Sequence, residues 1–228
     1  MIFPPQYPNR TWWHRGEPYS RMELIGDAAI HIVGLMVACG LGGVLLAKSG
    51  LQTASAEWPM ICIYVASLLT VLSISLAFNL APVAPIKRLL ARFDQAAIFL
   101  LIAGTYTPLL ALLNDTPLGT LMLLAVWSAA LIGIALKLIV PQHFGRLALL
   151  LYLGIGWSGV LIFQSLASVL PSSTLLLIVA GGVAYSSGII FHLWERLRFH
   201  NVIWHCFVVL GATIHLWAVL DCMVLRRL

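Results

Sequence analysis

Charge is scarce in this chain: Asp, Glu, Lys and Arg together make up 9% of 228 residues, while hydrophobic residues make up 61%. A soluble domain of this size could neither hide that much apolar surface nor solvate itself with so few charges. Cysteine is also rare. Cys39, Cys62, Cys206 and Cys222 lie inside apolar stretches at no metal-type spacing, which speaks against a disulfide framework or a cysteine metal site and leaves core packing as their expected role. Met1–Arg21 holds prolines and aromatics but lacks the apolar core of a signal peptide. No internal repeat is visible, which weighs against an inverted-repeat transporter. No loop is long enough to fold as a second domain.

What the chain does have is seven apolar runs: Ala28–Ala47, Met60–Leu80, Ala96–Leu113, Gly119–Val140, Leu147–Leu166, Thr174–Trp194 and Val202–Val224. Each is close to the roughly 20 residues that cross a hydrocarbon core about 30 Å thick. Backbone groups in lipid must bond within their own segment, so the runs are helices. Breakers separate them, including Gly50 with Pro59, Pro82 with Pro85, Pro117, Pro141 and Pro171. The fold expected is an all-α, seven-transmembrane-helix bundle, with residues 1–22 as an N-terminal segment and 23–228 as the membrane domain.

Basic residues set the orientation. Arg10, Arg15, Arg21, Lys87, Arg88, Arg92, Lys137, Arg146, Arg196 and Arg198 fall on one side, against Lys48, Arg226 and Arg227 on the other. The positive-inside rule then places the N-terminus in the cytoplasm and the C-terminus outside. The net charge of +5 reads as headgroup anchoring, with Trp12 and Trp13 as interfacial anchors, because the basic residues flank helices. Nucleic-acid binding needs instead a basic stripe with readers of bases or backbone. The partner expected is the lipid bilayer of a cell (inner or plasma) membrane, with a lipid ligand; no nucleic acid is expected, and the oligomeric state is open.

Function is sought among polar groups at membrane depth, which are costly unless they face the bundle interior. Ser75 and Asn79 lie four residues apart near the end of the second run, and share a helix face. Asp94 and Gln95 open the third, and Asn201 and His205, again four apart, open the seventh. By the topology all of these lie at one level, so Ser75, Asn79, Asp94, Asn201 and His205 are expected to line one pocket. The competing reading is a hydrogen-bonded network that holds helices together. Glu23, Asp27 and His31 follow at four-residue steps on one face; a helix-start network is the first reading, with divalent-cation binding as the second. His215, about 15 Å along the helix from His205, reads as a structural histidine of another layer.

Several ordered segments carry a resemblance. FDQAAIFLLIAGTYTPL at 93–109, VWSAALIGIALKL at 126–138, LYLGIGW at 151–157, GGVAYSSGIIFH at 181–192 and IWHCFVVLGATIH at 203–215 resemble the hemolysin III family of the progestin and adipoQ receptor superfamily. In that superfamily, and in the similar alkaline ceramidases, Ser-x-x-x-His in span two, Asp in span three and His-x-x-x-His in span seven build a zinc site. Carried over, the resemblance implies Ser75 and Asp94, the latter two as candidate catalytic residues, but finds Asn79, Gln95 and Asn201 where histidines are expected, and Asp27 where Asn is usual. Only His205 survives as an imidazole ligand. A carboxamide oxygen is a poor zinc donor, so no metal or other cofactor is expected, with zinc as the alternative. A local π-turn that aims His200 beside His205 is a conceivable rescue. The resulting reading is a lipid-binding or sensor protein with a degraded zinc site. Its alternatives are a zinc-dependent lipid amide hydrolase and a membrane-disrupting, pore-forming cytolysin.

Overall fold

The computed structural model describes residues 19–52, 57–82, 85–113, 115–141 and 145–225, and among them the chain is helical, with no strand. Its elements are α1 (Arg21–Gln52), α2 (Trp58–Leu80), α3 (Pro85–Ala111), α4 (Pro117–Ile139), α5 (Gly145–Trp157), a 3₁₀ turn (Ser158–Ile162), α6 (Phe163–Val169), α7 (Ser172–Leu193), α8 (His200–Leu220) and a π turn (Asp221–Leu225). Seven of the described segments are long and apolar enough to cross a membrane; α5, the 3₁₀ turn and α6 together supply the fifth. The protein is an integral membrane protein. The N-terminal segment, with Arg10, Trp12, Trp13 and Arg15, lies outside the described residues, as do Arg226 and Arg227.

Local chemistry explains where the helices begin. Ser20 and Glu23 form a capping box: the Ser20 amide donates to Glu23 Oε2 at 2.8 Å and the Glu23 amide to Ser20 Oγ at 3.3 Å. The first helix therefore starts at Arg21, one to two turns before its apolar run, and takes Glu23 and Asp27 into the bundle. Thr116 caps α4 by accepting from the Gly119 amide at 3.1 Å, with Pro117 in the first turn.

The helices stand in the order α7, α8, α1, α2, α3, α4, and the fifth span closes the arc between α3, α4 and α7. Leu45, Ile61, Tyr64, Phe99 and Leu110 fill the interior, while Met36, Leu51, Leu121, Leu161 and Leu176 point outward. An apolar exterior over a packed interior is what lipid as solvent permits. Small residues bring backbones together: a Cβ on Gly104 of α3 would lie 2.1 Å from Ser67 Oγ of α2, and one on Gly181 of α7 would lie 2.2 Å from the His215 ring of α8. His215 is satisfied by the Ile178 carbonyl at 3.1 Å, a full layer from His205.

Three sequence readings are corrected here. Lys137 and Lys87 are buried inside the bundle rather than snorkelling to headgroups. Lys137 Nζ donates to Gln95 Oε1 at 2.5 Å and Lys87 Nζ to the Ala81 carbonyl at 3.0 Å, so both serve to tie polar groups at helix ends. Cys39 and Cys206 are exposed on the bundle's outer surface, and only Cys222 is buried; the four are free thiols.

The fifth span is broken for a reason the sequence hides. Its 3₁₀ turn frees backbone groups that no water can satisfy at this depth. Tyr106 of α3 reaches across: its hydroxyl donates to the Gly156 carbonyl at 2.9 Å and accepts from the Gly159 amide at 2.7 Å. Trp157 Nε1 meanwhile donates to Ser186 Oγ of α7 at 3.0 Å.

Candidate functional site

One end of the bundle collects the start of α1, the end of α2, the start of α3, the ends of α4 and α7 and the start of α8. Four-residue spacing puts Glu23, Asp27 and His31 on one face of α1 and Asn201 and His205 on one face of α8, and packing sets these faces against each other. Phe199 adopts a left-handed conformation, φ 62°, just before α8. That turn aims its amide at Glu23 Oε1, 3.0 Å away, and pins the two helix starts together.

Below this clamp Asp27 is the hub. Its Oδ1 accepts from Asn201 Nδ2 at 3.3 Å and makes a very short contact with His205 Nδ1. Asn201 Nδ2 also lies 3.4 Å from that ring nitrogen. His31 Nδ1 donates to the Asp27 backbone carbonyl at 2.8 Å, which leaves the lone pair on Nε2. The His31 and His205 rings meet edge-on at 69°, with centroids 4.4 Å apart. Asp27 and His31 are 2% exposed and His205 8%, and Asp27 Oδ2 is buried with no hydrogen bond.

A second group faces the hub from α2 and α3. The Ser75 side chain neighbours the Asp94 carboxylate, which also lies within electrostatic reach of His205 and Asp27. Asn79 Nδ2 donates to the Ser75 carbonyl at 3.0 Å, within its own helix. Tyr152 donates to the Gln95 carbonyl at 2.7 Å, beside the Lys137 contact.

The five residues picked out in the sequence thus sit at one end of the bundle in two groups, Ser75 with Asp94, and Asn201 with His205; Asn79 is turned to its own backbone. Sequence reasoning assigned Asp27 and His31 to a separate helix-start network. They are partners of His205 instead, and the signal that could have joined them was there: the first span begins at the same end as the seventh. The segment from His200 to Leu220 is α-helical, and the π turn lies at the opposite end, at Asp221–Leu225. His200 packs against Tyr19, with ring centroids 5.8 Å apart, rather than beside His205.

The zinc set implied by the resemblance does not fit these residues. Both amides have committed an N–H, Asn79 to Ser75 and Asn201 to Asp27. What each would offer is a neutral carbonyl oxygen in place of imidazole, a weak donor for zinc. A different group, Asp27, His31 and His205, all buried, could hold a metal ion, with one ligand atom from each within 4.8 Å of the others.

An apolar cavity of about 170 Å³ lies between α3, the fifth span, α7 and α8. Ile98, Ile102, Leu109, Phe163 and Val179 are among its walls. Tyr152 and Trp204 also line it, and these two lead toward the polar end, since Tyr152 bonds Gln95 and the Trp204 ring lies 6.4 Å from His205.

Comparison with known proteins agrees with the architecture. A family model described as Haemolysin-III related matches residues 23–216. Hemolysin-3 of Bacillus cereus is 31% identical over 198 residues, 87% of this chain and 90% of that protein. A Hemolysin-3 homolog of Bacillus subtilis (strain 168) is 41% identical over 135 residues, 59% of this chain and 63% of the relative. The monocyte to macrophage differentiation factor of Homo sapiens is 28% identical over 127 residues, 55% of this chain and 52% of that protein. No solved structure matches the chain.

Proposed function

The chain belongs to the haemolysin-III related family, and from that premise we propose that it is a non-catalytic lipid-binding sensor of the cell membrane, with its N-terminus in the cytoplasm. The observation that carries this reading is the apolar cavity, whose lining residue Trp204 neighbours His205 of the buried polar cluster. An acyl chain gains little by leaving a bilayer for an apolar cavity, because lipid tails are as apolar as the side chains that line it. Discrimination between lipids therefore falls to the polar end, where a headgroup would meet hydrogen-bonding groups around Gln95, Lys137 and His205. Hydrolysis through zinc at the family's ligand positions is disfavoured, since three protein ligands are the usual minimum for catalytic zinc and two positions carry amides.

Gly156 gives a clean test. It lines the cavity, and a Cβ there would meet nothing within 4 Å, so Gly156→Phe fills the space without displacing backbone. Purified protein in lipid nanodiscs is titrated with a fluorescent polyunsaturated fatty acid. Saturable binding weakened at least fivefold by Gly156→Phe is expected; binding unchanged by the variant would refute the cavity as the site. Dye leakage from liposomes holding the protein would favour the cytolytic activity suggested by the relatives' name Hemolysin-3, and release of fatty acid from ceramide would favour the hydrolase.

A further inference from the structure

We infer that Asp27, His31 and His205 bind a divalent first-row transition cation, at a position set by α1 and α8 alone. The donors come from two helices and are all buried, with ligand atoms within 4.8 Å of one another. Ligand atoms held 2.0–2.2 Å from such a cation stand about 3–3.5 Å apart. Asp27 Oδ1 and His205 Nδ1 are already in contact, so a cation between them needs these two side chains to draw apart while His31 keeps the orientation set by its backbone hydrogen bond.

Three observations point to a cation rather than to a finished hydrogen-bond network. Asp27 Oδ2 is buried and carries no hydrogen bond, with His31 Nδ1 3.7 Å away. A buried carboxylate oxygen without a hydrogen bond is costly, and an imidazole at 3.7 Å offsets that only in part. His31 is also prepared as a ligand: its Nδ1–H is fixed by a backbone carbonyl, the arrangement that sets the tautomer and orientation of metal-bound imidazoles. The charge is favourable as well: Asp94 of α3 lies within electrostatic reach of Asp27 and His205, so two carboxylates meet at this end, and the one ammonium that feels Asp27, Lys87, donates to the Ala81 carbonyl instead of pairing with it.

A carboxylate and neutral imidazoles are the forms that bind a metal, so the cation competes with protons for these three side chains. Two nitrogens and one oxygen suit zinc, cobalt, nickel or ferrous iron rather than magnesium or calcium. The cation site shares His205 with the proposed headgroup end, but the tests are separable: Gly156→Phe alters the cavity and none of Asp27, His31 and His205.

The test uses full-length protein purified in detergent through a tag without histidines, stripped with chelator and titrated with Co²⁺. One Co²⁺ per chain is expected, with visible d–d absorption and no competition by Mg²⁺ at tenfold excess. Asp27→Asn and His31→Gln should each weaken binding at least a hundredfold. X-ray absorption should count two imidazoles on the cobalt. Should His31→Gln fail to run as a single species in gel filtration, Asp27→Asn decides, since it keeps shape and hydrogen-bonding capacity. Less than half an equivalent of Co²⁺ on wild type overturns the inference. So does binding that survives both substitutions and falls only with His205→Ala, which would put the cation on another donor set.

Discussion

Removing one oxygen from Tyr106 should loosen the fifth span. Tyr106→Phe deletes the hydroxyl that satisfies both the Gly156 carbonyl and the Gly159 amide at the 3₁₀ turn. The Ser158 hydroxyl, 3.3 Å from it, is better placed to bond the Ile155 carbonyl at 2.6 Å, and so loses little. In water two orphaned backbone groups would be rehydrated; here the surroundings are lipid and apolar side chains. An unsatisfied buried group costs about 1–3 kcal/mol. Interhelical hydrogen bonds within membranes average only ~0.6 kcal/mol and reach ~1.7, because the unfolded chain in lipid finds partners too. For two bonds that brackets the loss at about 1–3 kcal/mol. Unfolding in mixed micelles of increasing denaturing detergent, followed by helicity, measures it. Ser158→Ala serves as the control, with an expected change under about 0.5 kcal/mol. A Tyr106→Phe loss as small as that of the control would refute the view that the tyrosine stabilises the break.

Gly104→Ala should destabilise by about 1–3 kcal/mol in the same assay, since the new Cβ would lie 2.1 Å from Ser67 Oγ and 2.9 Å from Ser67 Cβ; adding Ser67→Gly should restore most of the loss, and Ser67→Ala should not. Thr116→Ala removes the acceptor for the Gly119 amide and should cost about 1 kcal/mol, read as a lowered unfolding midpoint. For the orientation proposed from the basic residues, cysteine labelling in intact cells should modify a cysteine introduced at Asp115 with a membrane-impermeant reagent; modification only after lysis would reverse the topology.

Seven spans were legible because hydrophobic length is a property of the chain alone. Each run had to satisfy its backbone internally, whatever its neighbours. The level of the polar residues was legible too, since alternate spans run in opposite directions, and Asp94, Asn201 and His205 open spans that begin at the same end. Boundaries were less so. The apolar run starting at Ala28 concealed a helix already begun at Arg21, because Glu23 and Asp27 are polar and counted against the span.

Rotation of each helix about its axis is what the sequence could not contain. Four-residue spacing says that Asp27 and His31 share a face, but only packing turns that face to α8 and His205 rather than to lipid. Asn79 shows the opposite outcome: it shares a face with Ser75, yet its amide folds back onto its own helix. Lys137 looked like a headgroup anchor by position and is buried against Gln95 because α4 carries that face inward. The chain by itself determined how many helices cross, and at what depth their polar residues lie. Which of those residues meet, and the cavity beside them, followed from interhelical contact, where close packing at glycines and hydrogen bonds between faces select one arrangement from the many that hydrophobic length allows.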